Sequence, residues 1–535
     1  MPNITLRVYR RKGDFNPIHH GMTSRHGWIC LVERYFFYEI FVRSFYDSDG
    51  NGIGDFNGLI AKLDYLNDGD PKTASDFGIT CQCLIPVNPA ASYHGYDPTD
   101  YYVVNPDYRV MDDFSRLLQE CHKRGIRVII DMVYKHTYTK HPRFIESRDQ
   151  PQSAKRDWCV WSSTNPGYLG PWGEQVWYIT ISGYYYAIFW IGQPDLNHTN
   201  QVVTDEMYNV AKYWLQDIGV DGFRLDAARY LIEDGKDHQD TPETLTWWSN
   251  FRTFYKGINP QAIKVAEVYT TNYIVENYLK ENDFDQASDF DLASRILKNI
   301  DGRNAVNLNA SIKSSFQLFP KGEYAIFLSN YDQESVMRFF SGDQVKTKLV
   351  ASVLLTIPGT PFICHGDEIG MTGNKPGERI HTPMLWSVDK YAGFSTVIPW
   401  ESINCNYVQN NVATEINDPN SLLSWYRDLI QLRNNHAALR VGDYYMVRSD
   451  DFSIMPFLRV SKEETLLVIL NMSEKPASGF TLTLDKGPLI GNYHAYMVLG
   501  EGNVKRVKSN QHGGFDGYKP LSKIPANGLV IIQLR

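Results

Sequence analysis

VDGFRLDA, residues 220–227, decides how the rest of the chain is read. Val220, Phe223 and Leu225 make it a short apolar run suited to a buried strand. It ends on Arg224 and Asp226, whose spacing of two positions puts both side chains on the same side of that strand. Seven more β-rich runs share its form: YEIFVRSF from Tyr38, ITCQCLIPV from Ile79, IRVIIDMV from Ile126, AIKVAEVY from Ala262, FDQASDFDL from Phe284, YAIFLSN from Tyr324 and TPFICHGDEIG from Thr360. The run from Phe284 carries the weakest pattern. Amphipathic helical stretches usually follow the runs, the alternation that a parallel sheet with covering helices requires. Eight such units predict a closed (β/α)8 TIM barrel, whose strands end at one shared face. Asp131, Arg224, Asp226, Glu267, Asn330 and Asp332 each close an apolar run, and packing alone does not explain charges at those places.

The stretch 134–200 is longer than one covering helix needs and is rich in Trp, Tyr, Pro and Gly, so it reads as a lobe inserted after the third strand. A helix is expected in SLLSWYRDLIQLRNNH, Ser421 to His436. From 437 to 535 short alternating strands with turn signals predict a C-terminal antiparallel β-sandwich domain. The barrel is then 31–133 plus 201–436, behind an N-terminal extension of 1–30 in which His19, His20 and His26 read as a flexible polar arm.

Composition sets outer limits. A chain of 535 residues exceeds one ordinary core, and 43% hydrophobic with 21% charged residues excludes wholesale disorder. The net charge of −8 and a pI near 6.0 supply no basic field for nucleic acid. The seven cysteines are scattered, with no zinc spacing, and read as reduced and mostly buried. No apolar run is long enough to span a membrane, and the first thirty residues show no signal peptide of secretory type, so the chain as written reads as soluble and cytoplasmic, or as secreted if a signal was removed; a monomer is expected. The aromatic excess, 12 Trp, 34 Tyr and 26 Phe, suits cores and sugar faces alike.

Two carboxyls facing one sugar bond can cleave it, one attacking the anomeric carbon and the other protonating the leaving oxygen. Asp226, with Arg224 expected to hold it ionised, suits the nucleophile. Glu267 follows the apolar Ile263–Ala266 and precedes Val268, surroundings that suit a proton donor. Asp332, on a third strand end, supplies a further charge facing the oxocarbenium-like transition state.

With these residues in view, the chain resembles the α-amylase family (glycoside hydrolase family 13), closest to bacterial α-amylases. The likeness is carried by HGYDPTDYY from His94, GIRVIIDMVYKHT from Gly125, QPDLN from Gln193, GFRLDAARY from Gly222, KVAEV from Lys264, FLSNYDQ from Phe327 and PGTPFICHGDEIGM from Pro358. By position the resemblance implies Asp226 as nucleophile, Glu267 as acid/base and Asp332 as transition-state stabiliser. It also implies substrate-binding roles for Tyr96, His94, His136, Arg224 and Tyr331. In DSDGNGIGD, the oxygens of Asp47, Asp49, Asn51, the Ile53 carbonyl and Asp55 suit one structural Ca²⁺, as similar loops do in many members; a solvated Asx/Gly turn is the alternative.

Four positions depart from the family pattern. Lys135 replaces an Asn that often binds a second calcium, Tyr331 replaces a sugar-bonding His, His381 stands where glucosidase-like members have Arg, and Arg109 replaces a turn Gly. QPDLN resembles the α-glucosidase and oligo-1,6-glucosidase branch, whereas Ala227 goes with α-1,4 bonds. The expected activity is retaining, endo-acting hydrolysis of α-1,4-glucan or maltooligosaccharide. An exo-acting glucosidase, a transglycosylase and a catalytically impaired glucan-binding protein remain the alternatives.

Overall fold

The computed structural model describes residues 35–73, 75–280 and 283–535; the 1–30 extension with its three histidines and Cys30 lies outside them. Eight parallel strands close on themselves: β1 (Phe37–Ile40), β2 (Cys81–Leu84), β3 (Arg127–Met132), β4 (Gly222–Leu225), β5 (Ile263–Ala266), β6 (Gln286–Ser288), β7 (Tyr324–Ile326) and β8 (Thr360–Cys364). Strand β1 pairs with β2 on one side and β8 on the other, which seals the ring. The predicted TIM barrel is therefore present, with all eight runs supplying its strands.

Both faces of each strand are buried, which is why the runs are apolar throughout rather than alternating. Phe37, Cys81, Cys83, Ile129, Ile263, Val265, Ala325 and Phe362 fill the barrel interior as one cluster. Their neighbours Tyr38, Val128, Ile130, Phe223, Leu225, Ala266 and Ile326 face outward into the core shared with the helices. Period two thus sorts each strand into an inward and an outward file.

Two runs are shorter as strands than the sequence suggested. In FDQASDFDL only Gln286–Ser288 pairs, because the Asp289 carboxyl accepts from Leu292 N and starts the helix Phe290–Asp301. In YEIFVRSF the strand stops at Ile40 and a 3₁₀ turn, Val42–Ser44, follows. The helix expected from Ser421 runs Leu422–Asn435, with the Ser421 hydroxyl capping Ser424 N.

Between β3 and β4 a small antiparallel sheet forms from Trp161–Ser162, Trp177–Thr180 and Gly183–Tyr186. Beyond the barrel lie antiparallel sheets of five and three strands. The central strand of the larger, Thr465–Asn471, again divides by parity. Leu467 and Ile469 pack with Leu482, Leu484 and Phe515 of the smaller sheet, while Leu466, Val468 and Leu470 join the barrel core. A sheet buried on both faces explains the unbroken LLVIL run at its centre.

Candidate active site

The inward files of the barrel strands continue into polar residues at their C-terminal ends. Phe37 leads to Glu39, Ile129 to Asp131, Gly222 to Arg224 and then Asp226, and Val265 to Glu267, each a step of two. Apolar side chains fill the lower layers of the interior, and four carboxyls and one guanidinium crown it. The register is set partly by Gly222, at φ 153, where an added Cβ would lie 2.0 Å from the Ile263 carbonyl oxygen. Only glycine lets β4 pass that close to β5.

Arg224 is the hub. Its Nη1 contacts Asp131 Oδ2 and lies 3.6 Å from Asp226 Oδ1, while Nη2 lies 2.9 Å from Glu267 Oε1. One fork thus joins carboxyls from β3, β4 and β5. The second oxygen of Glu267 accepts from Ala227 N at 3.0 Å. Ala227 is in the left-handed region, φ 49 and ψ 36, and this turn directly after Asp226 aims the amide at Glu267. A non-glycine residue held there stores roughly 1 to 3 kcal/mol of strain, as functional turns often do.

The charge balance differs from the sequence expectation. Arg224 was expected to hold Asp226 ionised, yet the guanidinium is shared, and its closer contacts are Asp131 and Glu267. Burial and the neighbouring Glu267 push the Asp226 carboxyl well above the usual range, against the pull of Arg224. Burial likewise raises Asp131 to about 7, and burial with Glu267 raises Asp332 to about 6. Glu267 does not sit in the apolar surroundings expected of it, since both its oxygens have polar partners.

Tyr96 lies under this cluster. Its hydroxyl donates to Asp131 Oδ2 at 2.7 Å, and its carbonyl oxygen is met by His136 Nε2 and Gln193 Nε2, both at 2.7 Å. Burial pulls His136 down to about 3, so it is neutral at working pH, and Nδ1 has no hydrogen-bond partner. His94 Nδ1 accepts from Tyr96 N at 3.1 Å. Tyr331 stacks on Tyr96 at 5.1 Å between centroids, carries the Arg224 guanidinium 4.8 Å above its ring and has His381 stacked at 6.4 Å. Of the five residues named for substrate contact, His94, His136 and Tyr331 therefore adjoin the other two, Tyr96 and Arg224.

Glu39 was not singled out from sequence, although it lies on the same inward file. It accepts from Tyr331 N at 3.2 Å, and burial pushes its carboxyl to about 8. A folded value above the unfolded one means that the neutral acid is the form the fold prefers. The stabilisation is complete below about pH 4.3 and is lost as pH rises through the folded value. Glu39→Gln is accordingly expected to melt close to wild type at pH 5 and above it at pH 8. A Tm difference that does not change between the two pH values would contradict this account.

The loop named as a cation site brings the oxygens of Asp47, Asp49 and Asp55 within 4.8 Å of one another. The Asn51 oxygen is not among them: Oδ1 accepts from Ile53 N at 2.8 Å, while Nδ2 donates to Asp49 Oδ2 at 3.3 Å. Lys135, buried at the junction of lobe and barrel, lies 2.7 Å from Asp195 Oδ2 and 2.8 Å from Glu233 Oε2. These two partners keep it charged despite burial, and neither was apparent from the sequence.

A family profile described as "Alpha amylase, catalytic domain" matches residues 39–442. The chain belongs to the α-amylase family. This member is 37% identical over 443 residues to α-amylase 3 of Dictyoglomus thermophilum, covering 82% of this chain and 84% of the relative. It is 32% identical over 514 residues to an oligo-1,6-glucosidase of Parageobacillus thermoglucosidasius, covering 82% and 90%. The crystal structure of the α-amylase from H. orenii superposes with a TM-score of 0.81 at 34% identity, covering 94% of this chain and 99% of that one. The protein is an O-glycosyl hydrolase of this family, and carbohydrate is its substrate class. Among the described residues no helix is long and apolar enough to cross a membrane.

Proposed function

We propose that this α-amylase family member is a retaining, endo-acting hydrolase of α-1,4-glucosidic bonds in starch and maltooligosaccharides. The observation that carries the proposal is the Arg224 fork, whose two nitrogens meet Asp226 and Glu267 from adjacent strands. Carboxyls that lie 3.6 and 2.9 Å from one guanidinium favour the short separation of a retaining pair, about 5 to 5.5 Å, over the wider gap that admits a water between them.

In this reading Glu267 protonates the glycosidic oxygen while Asp226 attacks the anomeric carbon, giving a glycosyl ester on Asp226. Glu267, now a carboxylate, takes a proton from water as that water attacks the same carbon, and the ester bond to Asp226 breaks. Asp332 stabilises the positive charge that develops on the sugar ring in both steps. The raised Asp226 carboxyl gives the pH dependence its sign: activity is lost as pH falls and Asp226 takes a proton. The acid limb of kcat/KM is expected at a pH well above the range of a free aspartate.

Hydrolysis of maltoheptaose, followed by product length and anomeric configuration, tests the whole reading. Early mixed oligomers released as α-anomers support it, whereas β-anomers would exclude retention. Glucose as sole product would favour the exo-acting reading that the oligo-1,6-glucosidase likeness and the QPDLN segment suggest. Tyr331→His, which puts a sugar-bonding imidazole where the phenol stands, is expected to raise kcat/KM about tenfold, the worth of one good hydrogen bond. A loss of activity in that variant would show instead that the Tyr331 stack on Tyr96 is needed for turnover.

A further inference from the structure

The Asp47–Asp55 loop has the residues of a divalent-cation site, but its oxygens are already engaged. Asp47 Oδ1 accepts from the amides of Asp49, Gly50 and Asn51, and Oδ2 accepts from Gly52 N at 2.8 Å and Ser395 Oγ at 2.6 Å. Asp55 Oδ1 takes Gly58 N and the Ser48 hydroxyl, both at 2.8 Å, and Oδ2 takes Ser48 N at 3.0 Å. Asp49 Oδ1 accepts from Asn51 N at 3.1 Å, and Asn51 Oδ1 from Ile53 N at 2.8 Å. Asp49 Oδ2 accepts from Asn51 Nδ2 at 3.3 Å and also faces a guanidinium: Arg109 Nη2 lies 2.7 Å away, and Arg109 Nε lies 4.0 Å from Asp55 Oδ2.

Arg109 reaches this position from a backbone that does not suit it. It follows the 3₁₀ turn Pro106–Tyr108 at φ 98 and ψ −147, a region that glycine enters freely and an L side chain enters under strain. A strained arginine persists where its surroundings hold it, and the contacts that hold this one are carboxylates of the acidic loop.

We propose that the Arg109 guanidinium is the resident cation of this loop and takes the place of the calcium ion that its acidic sequence invites. A hydrated or partly dehydrated divalent ion among these three carboxylates would have to displace the amide and hydroxyl donors and share Asp49 with a fixed positive charge. The residues present therefore do not fit calcium while Arg109 is in place. The loop instead neutralises itself through hydrogen bonds and one tethered charge, and its order does not depend on metal supply.

The test is spectroscopic and does not use hydrolysis. Terbium, a calcium surrogate, luminesces when an indole transfers energy to it, and Trp400, whose amide donates to Gly52 O at 2.9 Å, adjoins the loop. Wild type is expected to show no sensitised emission and the same Tm in calcium as in chelator. Arg109→Gly, which relieves the strained φ and removes the guanidinium, is expected to gain saturable emission and a calcium-dependent rise of about 2 to 4 °C in Tm. Sensitised emission from wild type that is lost in Asp49→Asn would overturn the proposal. So would an Arg109→Gly protein as indifferent to calcium and terbium as wild type, since the guanidinium would then not be what keeps the ion out.

Discussion

Glu267→Gln is expected to reduce kcat on soluble starch by about 10² to 10⁴-fold, the usual contribution of a positioned general acid, with KM changing far less. The amide retains the size of the side chain and can still accept from Ala227 N, so the turn after Asp226 should survive. What it loses is the proton for the leaving oxygen. The deficit in kcat/KM, which reports formation of the glycosyl ester before Glu267 acts as base, should therefore shrink on an aryl glucoside whose leaving group departs without protonation, and an equal kcat/KM deficit on both substrates would rule out Glu267 as the acid. Asp226→Asn should show no such rescue, because it removes the atom that bonds to the sugar. Starch retarding both variants in a native gel as it does wild type would separate loss of chemistry from loss of binding.

The second large effect concerns stability. Lys135→Met is expected to destabilise the protein by about 3 to 5 kcal/mol, the range for removing one partner of a buried ion pair. Lys135 and Asp195 have fully buried side chains, with 0% exposure for each, so the carboxylate left behind has neither water nor a counter-ion. Lys135 also stands within the segment that ties lobe to barrel. Leu196 N donates to Lys135 O at 2.9 Å, Thr137 N donates to Pro194 O at 3.1 Å, and His136 pairs with Asp195 between them. Adding Asp195→Asn to Lys135→Met should recover part of the loss in urea unfolding. Simple additivity of the two single losses would mean that the ion pair is not what Lys135 contributes.

Local pattern carried much of the fold. The eight apolar runs were legible because strands buried on both faces leave long unbroken hydrophobic signatures. Their ends were less legible: Asp289 reads equally as a strand residue or a helix cap, and only the hydrogen bond to Leu292 N distinguishes them. The candidate site was partly legible for the same reason. Arg224 and Asp226 were found by spacing along one strand, and the same step of two from Phe37 would have found Glu39. Neither spacing nor composition gives the distribution of a charge among its partners, so the expectation that Arg224 holds Asp226 ionised did not include the shares of Asp131 and Glu267.

The sequence by itself determined the barrel, the inserted segment, the C-terminal strands and the residue types at the strand ends, because each depends on periodicity within a few positions of the chain. Tertiary structure alone decided which charges meet. The Arg224 fork spans three strands, Lys135 finds Glu233 across 98 positions, and Arg109 crosses to Asp49 from another loop. Coulomb interactions and burial act through space, so their sign and size at a given residue follow from closure of the barrel.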